Sequence, residues 1–414
     1  MSLVKKIKQK FSSKDAKALL ENFISLSALQ LIGMILPLIT LPYVLRVLGF
    51  ENYGIVVFAA SLITYFQSLT DFSFKITAVR DVAINRDDIE QLNFIYSKVL
   101  IVKGVFLLLS LAVIGLIVLF YAPFYQYKEI YFYSSLLLVG YALFPEWFFQ
   151  GIEQMRYITY LNVGIKLFFT ICIFIFIHSE NDYWIYPLLQ SGGFIGAGLV
   201  GQFILMYKYK LKFKVLHFSV VWETVRSNFP LFVNQFVPTL YNNTSTFLLG
   251  LIGAKSLVGM YQAILTVVNL GITIIEIVSR VFFPFLNRKV EAFKIYRKLV
   301  LSIYLFIILL FLVGHKYIFM FLNIQHSEAL FVLLILLIGV FGYVLDNIFG
   351  LNYFIVKRMD KRVMYNTIIF SLFGMAIAYP LIVGYGVLGC AITLSVTRLL
   401  MGGSLYCQYL KVKV

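Results

Sequence analysis

The sequence predicts an all-α membrane protein of about twelve transmembrane helices, built as two six-helix halves in a parallel repeat. Three observations carry that reading. The chain of 414 residues is 61% hydrophobic, 17% aromatic and only 13% charged, with a mean hydropathy of +0.89, which no soluble domain of that length tolerates on its surface. Runs of about 20 mostly apolar residues, the length that crosses a bilayer core, recur between charged or turn-forming segments. A polar stripe also occurs twice, 205 residues apart: Ser61, Thr64, Ser68, Asp71, Lys75 and Thr266, Asn269, Thr273, Glu276, Arg280. Its 3, 4, 3, 4 spacing puts each set on one face of a helix, and each ends in an acid followed four residues later by a base.

In order, the spans are expected to begin at Glu21, Asn52, Lys98, Ile130, Ile158 and Ile185, and then at Ser227, Leu257, Leu299, Ser327, Met364 and Val387. An even number of spans per half brings both halves into the membrane the same way round, so the repeat axis runs along the membrane normal. The organisation that follows is a cytoplasmic basic tail over 1–20, a first half over 21–207, a cytoplasmic basic linker over 208–226 and a second half over 227–410.

A formal charge of +16 would suggest nucleic acid in a soluble protein, but its distribution speaks for topology instead. All but seven of the 35 Lys and Arg fall on one side. Arg46, Lys128, Lys255 and Lys316 fall on the other, and Lys103, Lys166 and Arg398 lie inside spans. That asymmetry predicts both termini in the cytoplasm, with Lys208, Lys210, Lys212 and Lys214 against anionic headgroups and no nucleic-acid partner. Met1 to Lys17 has no apolar core and reads as a tail, not a cleavable signal. Cys172, Cys390 and Cys407 lack paired spacing and the four histidines lack metal-ligand spacing, so neither a disulfide framework nor a metal site is expected. Without a phosphate-cradling glycine loop, no nucleotide cofactor is expected.

What remains is polar groups inside the spans, where an ionisable residue costs about 2.5–3.5 kcal/mol at the bilayer centre and persists only facing protein or water. Lys103 shares a face with Tyr96 and Ser110, Lys166 with Thr159, Asn162 and Thr170, and Arg398 with Ser395 and Gly402. Three cations on three helices would make an anion-receptive cavity; the alternative is that they snorkel, or pair with Glu146, Asp346 or Glu276. Gln30, Asn162, Asn234 and Asn242 are further candidates for its lining. Asp346 lies on a face with Gly339, Gly342, Gly350 and Tyr353, a groove where another helix or a lipid chain could approach closely. Pro37, Pro42 and Pro238 are expected to interrupt their spans. The two acid-base pairs, Asp71 with Lys75 and Glu276 with Arg280, are candidates for a cytoplasmic gate that meets across the pseudo-two-fold when the cavity faces outward, and with Glu146 and Asp346 for ion coupling.

Several segments resemble a known family. Leu48-Gly49 with Tyr53-Gly54, echoed by Ile252-Gly253 with Val258-Gly259, is similar to the repeat of polysaccharide flippases, as are the runs Leu38 to Gly49 and Pro145-Glu146-Trp147-Phe148-Phe149-Gln150-Gly151. The likeness is to O-antigen flippases of the Wzx type, in the superfamily that also holds multidrug exporters of the toxin-extrusion kind. It implies a V-shaped bundle in the bacterial inner membrane. Its cargo would be an undecaprenyl-pyrophosphate-linked oligosaccharide, carried to the outer leaflet by alternating access, with H⁺ or Na⁺ as a coupling ion in some members. A polysaccharide polymerase and a chain-length regulator are the partners implied. A cationic cavity suits a pyrophosphate and a polar lining suits sugar hydroxyls. Two other functions fit the architecture less well. A drug exporter of amphipathic cations would need unpaired membrane acids. A membrane polymerase or ligase would need an external loop longer than the roughly ten residues expected here.

Overall fold

The computed structural model describes residues 14–288 and 290–413. Among them there is no strand. The helices are α1 (Lys14–Asp71), α2 (Phe74–Ile84), α3 (Ile89–Phe120), α4 (Ala122–Tyr125), α5 (Lys128–Leu143), α6 (Glu146–Gly151), α7 (Met155–Phe176), α8 (Ile185–Tyr207), α9 (Phe218–Ile252), α10 (Lys255–Arg288), α11 (Phe293–Phe321), α12 (Ala329–Leu345) and α13 (Asp360–Lys413). Short 3₁₀ turns occupy Glu180–Trp184 and Val290–Ala292, and a π-helix, Asp346–Ile355, continues α12.

Among the described residues nine helical stretches are long and apolar enough to cross a membrane, and two of them, Ile32–Ile84 and Asp360–Val412, run for 53 residues. At about 1.5 Å per residue such a rod would be more than twice the thickness of a bilayer core. Each is broken by a glycine in a left-handed conformation, Gly49 (φ 73°) in α1 and Gly386 (φ 55°) in α13, which only a residue without a Cβ adopts cheaply. Eleven apolar spans result. The twelfth long helix is α9, whose Asn, Gln, Thr and Pro residues make it much less oily.

Several boundaries differ from expectation. Residues 1–13 of the predicted tail lie outside the described residues, and helix is already present at Lys14. The linker is shorter than 208–226, because α9 starts at Phe218. It is also tied down: the Lys212 N–H donates to Asn93 Oδ1 (2.7 Å) and the Lys214 N–H to Ser97 Oγ (2.8 Å), both on α3. Pro37, Pro42 and Pro238 do not interrupt their helices. Each removes one N–H and frees the carbonyl four residues back, and the rest of the turn holds.

Chain reversals put the linker and the 85–88, 144–154 and 356–359 connections on one face, called here the linker face. On the opposite face the two halves meet most tightly. A Cβ at Gly54 would collide with the Lys255 carbonyl and lie 3.1 Å from the Gly259 nitrogen, while one at Gly259 would lie 3.2 Å from the Gly54 nitrogen and strike the Phe50 carbonyl. Gly54 and Gly259 are related by the same 205-residue offset as the stripes, so the repeat meets itself at this contact. Nearby bonds brace it. Arg46 Nη2 donates to the Phe321 carbonyl (3.2 Å), Asn52 Nδ2 to that of Glu180 (3.0 Å) and the Tyr43 hydroxyl to that of Ile177 (2.7 Å). From there α9 follows the second arm of α1 towards the linker face, with Asn243 Nδ2 donating to the Ser61 carbonyl (2.6 Å), Tyr65 bonded to Thr244 (2.9 Å) and Asn228 Nδ2 to Thr77 on α2 (3.0 Å).

The segment after Pro145 has a structural role. Trp147, Phe148 and Phe149 are fully buried among Phe72, Phe74, Val82 and Tyr96. Gly151 lets α6 approach Val82 closely, and Gly201 of α8 sits against the Pro145 ring.

Because a backbone carbonyl cannot yield as a flexible side chain does, Gly54→Ala should lose about 1–3 kcal/mol of stability by overpacking. Gly104→Ala, where a Cβ meets nothing within 4 Å, should lose none. Thermal unfolding of the two purified variants in detergent checks the difference.

Candidate substrate cavity and its surrounding ion pairs

A cavity of about 390 Å³ opens between α1, α5, α7, α8 and α10. Its polar lining comes from Thr40, Asn162, Lys166, Thr170, Gln190 and Gln262, and its apolar lining includes Leu36, Pro37, Phe169 and Phe194. A second lobe of about 230 Å³ adjoins it through Tyr53, Tyr186, Gln190 and Gln262, which line both. Ser61 and Thr64 of the first stripe line the second lobe, and Thr266 of the other stripe lines the first. The wall thus draws on both repeats.

Lys166 is the cavity's cation. It follows Asn162 by one helical turn on α7 and precedes Thr170 by another, so the spacing expected from the sequence does point these three the same way. Thr159 turns into the protein, its hydroxyl bonded to the Met155 carbonyl (3.3 Å). The Lys166 ammonium has no ion-pair or hydrogen-bond partner among the described residues. Gly33 makes room for it: a Cβ there would lie 2.6 Å from Lys166 Nζ. Of the residues lining the two lobes, Lys166 alone is charged.

Lys103 does not join it. Its side chain is 4% exposed and its Nζ sits 2.9 Å from Asp71 Oδ1, with a further bond to the Tyr141 carbonyl (3.2 Å). Lys75 Nζ lies 3.7 Å from Asp71 Oδ2 and 3.4 Å from Glu146 Oε2. Two lysines and two carboxylates therefore alternate in one network that joins α1, α2, α3 and α6. Lys75 is not on the helix that carries the rest of its stripe, because the chain turns at Phe72 (φ 38°) and Ser73 (φ 62°) before α2 begins.

Arg398 also lies off the cavity lining. Its guanidinium stands 5.9 Å from the Tyr343 ring, and its Nε is buried without a hydrogen-bond partner. Asp346 has one buried oxygen without a partner. The small-residue groove beside it is filled by α13: Gly342 abuts the Arg398 backbone, Gly402 lies against the Gly342 carbonyl, and Gly339 meets Ser395. Glu276 accepts a bond from the Tyr343 hydroxyl (2.8 Å), and the Gln30 amide oxygen, turned to face it, accepts from Arg280 Nη1 and Nη2 at 3.1 and 3.2 Å. The two acid-base pairs do not meet across the halves among the described residues; the contact that crosses is Arg280 with Gln30.

Asn234 and Asn242 are exposed and line neither lobe. Asn242 Nδ2 bonds back to the Pro238 carbonyl (3.1 Å). Its neighbour Asn243 lines the second lobe instead. One residue is a turn of about 100° on a helix, and the phase could be read only from the set Thr239, Asn243 and Thr246. Sequence reasoning also passed over Gln262, although it extends the second stripe one rung beyond Thr266, and Gln190, one of two amides in an oily helix. Tyr53, Tyr186 and Gly33 gave no signal of their own.

Removing one partner from a buried ion pair strands the other, at a cost of about 3–5 kcal/mol, whereas replacing both with apolar groups of similar volume is near neutral. Asp71→Asn should therefore destabilise the protein strongly, and Asp71→Leu combined with Lys103→Met should recover most of the loss. Thermal unfolding in detergent reads both.

The family model described as polysaccharide biosynthesis protein matches residues 19–290. A relative from Escherichia coli (strain K12), provisionally named an O-antigen transporter, is 24% identical over 393 residues, covering 93% of this chain and 95% of its own. One of the same name from Shigella dysenteriae is 25% identical over 246 residues, 59% of this chain and 61% of its own. Two solved structures share the fold at a TM-score of 0.67. An inward-facing multidrug resistance transporter of the MATE family in the MOP superfamily is 14% identical, over 94% of this chain and 97% of that one. The lipid II flippase MurJ in an inward closed conformation is 13% identical, over 95% and 88%. With the family model covering well over half of its length, the chain belongs to the polysaccharide biosynthesis protein family.

Proposed function

We propose that the protein is a flippase that carries a lipid-linked oligosaccharide repeat unit from the cytoplasmic to the outer leaflet of the bacterial inner membrane. The observation that carries the reading is Lys166: one cation in a cavity whose other polar groups are amides and hydroxyls, set among aliphatic and aromatic side chains, with no carboxylate in the wall among the described residues. A cation freed from any protein partner attracts an anion. A pyrophosphate-linked cargo supplies that anion, and its saccharide supplies hydroxyls for the amides. Relatives named for O-antigen transport and a flippase with the same fold support the cargo class. The positive charge of the linker face supports an orientation with that face in the cytoplasm.

The same lining weighs against a drug exporter, whose cationic cargo calls for a membrane acid in the wall. The connections on the opposite face, such as 121–127 and 322–328, are too short to build a polymerase or ligase site. No organic cofactor enters the cycle. A gradient of H⁺ or Na⁺ drives it, with Glu276 and Asp346 in the second half as the coupling carboxylates. The lipid chain stays in the bilayer, and a polymerase and a chain-length regulator receive the product.

A strain lacking the protein should accumulate undecaprenyl-pyrophosphate oligosaccharide and lose its surface polysaccharide. Wild type should restore both, Lys166→Gln should restore less than a tenth of the polysaccharide, and Lys166→Arg most of it. Lipid extraction and immunoblotting check this, and full activity of Lys166→Gln would sink the cavity reading. Gly33→Val, which pushes a side chain into the place of the Lys166 ammonium, should lower export several-fold at unchanged protein level.

A further inference from the structure

The two lobes differ in kind. The larger holds Lys166; the smaller, lined by Ser61, Thr64, Asn243 and Thr246, holds no Asp, Glu, Lys, Arg or His. Between them lies a waist of four side chains that face both: Tyr53, Tyr186, Gln190 and Gln262. Tyr53 and Tyr186 meet edge to face with ring centroids 6.3 Å apart. The amides of Gln190 and Gln262 have no hydrogen-bond partner among the described residues. Gln202 is the contrast. Its oxygen accepts from the Tyr96 hydroxyl (2.8 Å) and its nitrogen donates to the Leu143 carbonyl (2.5 Å), so its amide is consumed by the fold.

An unsatisfied amide beside a cavity is a binding group in waiting, since it carries one acceptor oxygen and two N–H donors. That combination matches adjacent hydroxyls or an acetamido group. Tyrosine rings offer an apolar face to the C–H side of a sugar ring and a hydroxyl at the rim. Gln190 comes from α8 in the first half and Gln262 from α10 in the second, so a ligand bonded to both bridges the halves.

We infer that this waist is the saccharide subsite, and that it selects an uncharged sugar next to the anionic linkage held at Lys166. The inference rests on the flippase reading and sharpens it. A sugar carboxylate at the waist finds no cation but Lys166, which the linkage already occupies. A free sugar amine finds no carboxylate at all. Either charge would be desolvated without a partner, whereas a neutral hydroxylated ring satisfies amides that otherwise stay unpaired.

The test uses the full-length protein in nanodiscs and three probes: farnesyl diphosphate, the same diphosphate bearing N-acetylglucosamine, and the same bearing glucuronic acid. Equilibrium binding should be at least tenfold tighter for the N-acetylglucosamine probe than for farnesyl diphosphate, with no such gain for the glucuronic acid probe. Gln190→Ala and Gln262→Ala should each remove most of the gain while farnesyl diphosphate, held at Lys166, still binds and loses far less affinity, which also shows that the variants are folded. A gain that survives the double variant, or a glucuronic acid probe bound as tightly as the neutral one, overturns the saccharide subsite alone. Failure of all three probes to bind, with Lys166→Gln without effect, overturns the flippase reading and this inference with it.

Discussion

A bilayer cannot hydrate a charge, and that constraint sorts the ionisable residues of this chain. Lys103 is answered by Asp71 at 2.9 Å, and Lys75 bridges Asp71 and Glu146. Arg398 lies over an aromatic ring inside the second half, and Glu276 takes a tyrosine hydroxyl. Lys166 stands apart because nothing among the described residues answers it and a cavity opens in front of it. A paired cation is architecture, whereas an unanswered one beside open volume is an invitation to an anion.

The same logic separates the parts that hold the halves together from the parts that meet the cargo. At the opposite face, backbone touches backbone where Gly54 and Gly259 meet, and no side chain intervenes. Towards the linker face, the contact between the first half and α9 passes to hydroxyls and amides. Each such bond is worth about 0.5–1.5 kcal/mol net, small enough to exchange during a cycle. The cavity lies beside this seam and its wall draws on both halves, so a change in the angle between them would reshape it. Alternating access needs that property and little else.

Much of this was legible in the sequence. The count and order of spans followed from apolar runs and charge, and the 205-residue offset marked two halves before any contact was known. Lys166 and Asn162 were found because depth and helical spacing suffice when a residue has no partner. Lys103 was misplaced because its partner is 32 residues away, on another helix, and no local pattern announces a tertiary ion pair. The turn at Phe72 and Ser73 was hidden for a related reason, since neither is glycine or proline and packing of the aromatic cluster holds them there. Asn242 was preferred to Asn243 because a single residue decides which side of a helix is reached. The prolines misled in the opposite sense, since a missing N–H weakens a helix without ending it.

The central claim is that this chain alone moves a lipid-linked saccharide between leaflets. Its most direct test is reconstitution of the purified protein into liposomes loaded with a fluorescent undecaprenyl-pyrophosphate oligosaccharide. A membrane-impermeant lectin or quencher then reads how much probe is exposed outside over time. The account predicts exposure of the inner-leaflet pool well above that of protein-free liposomes, under an H⁺ or Na⁺ gradient across the membrane. Exposure indistinguishable from protein-free liposomes, with folded protein present and both gradients tried, would contradict it.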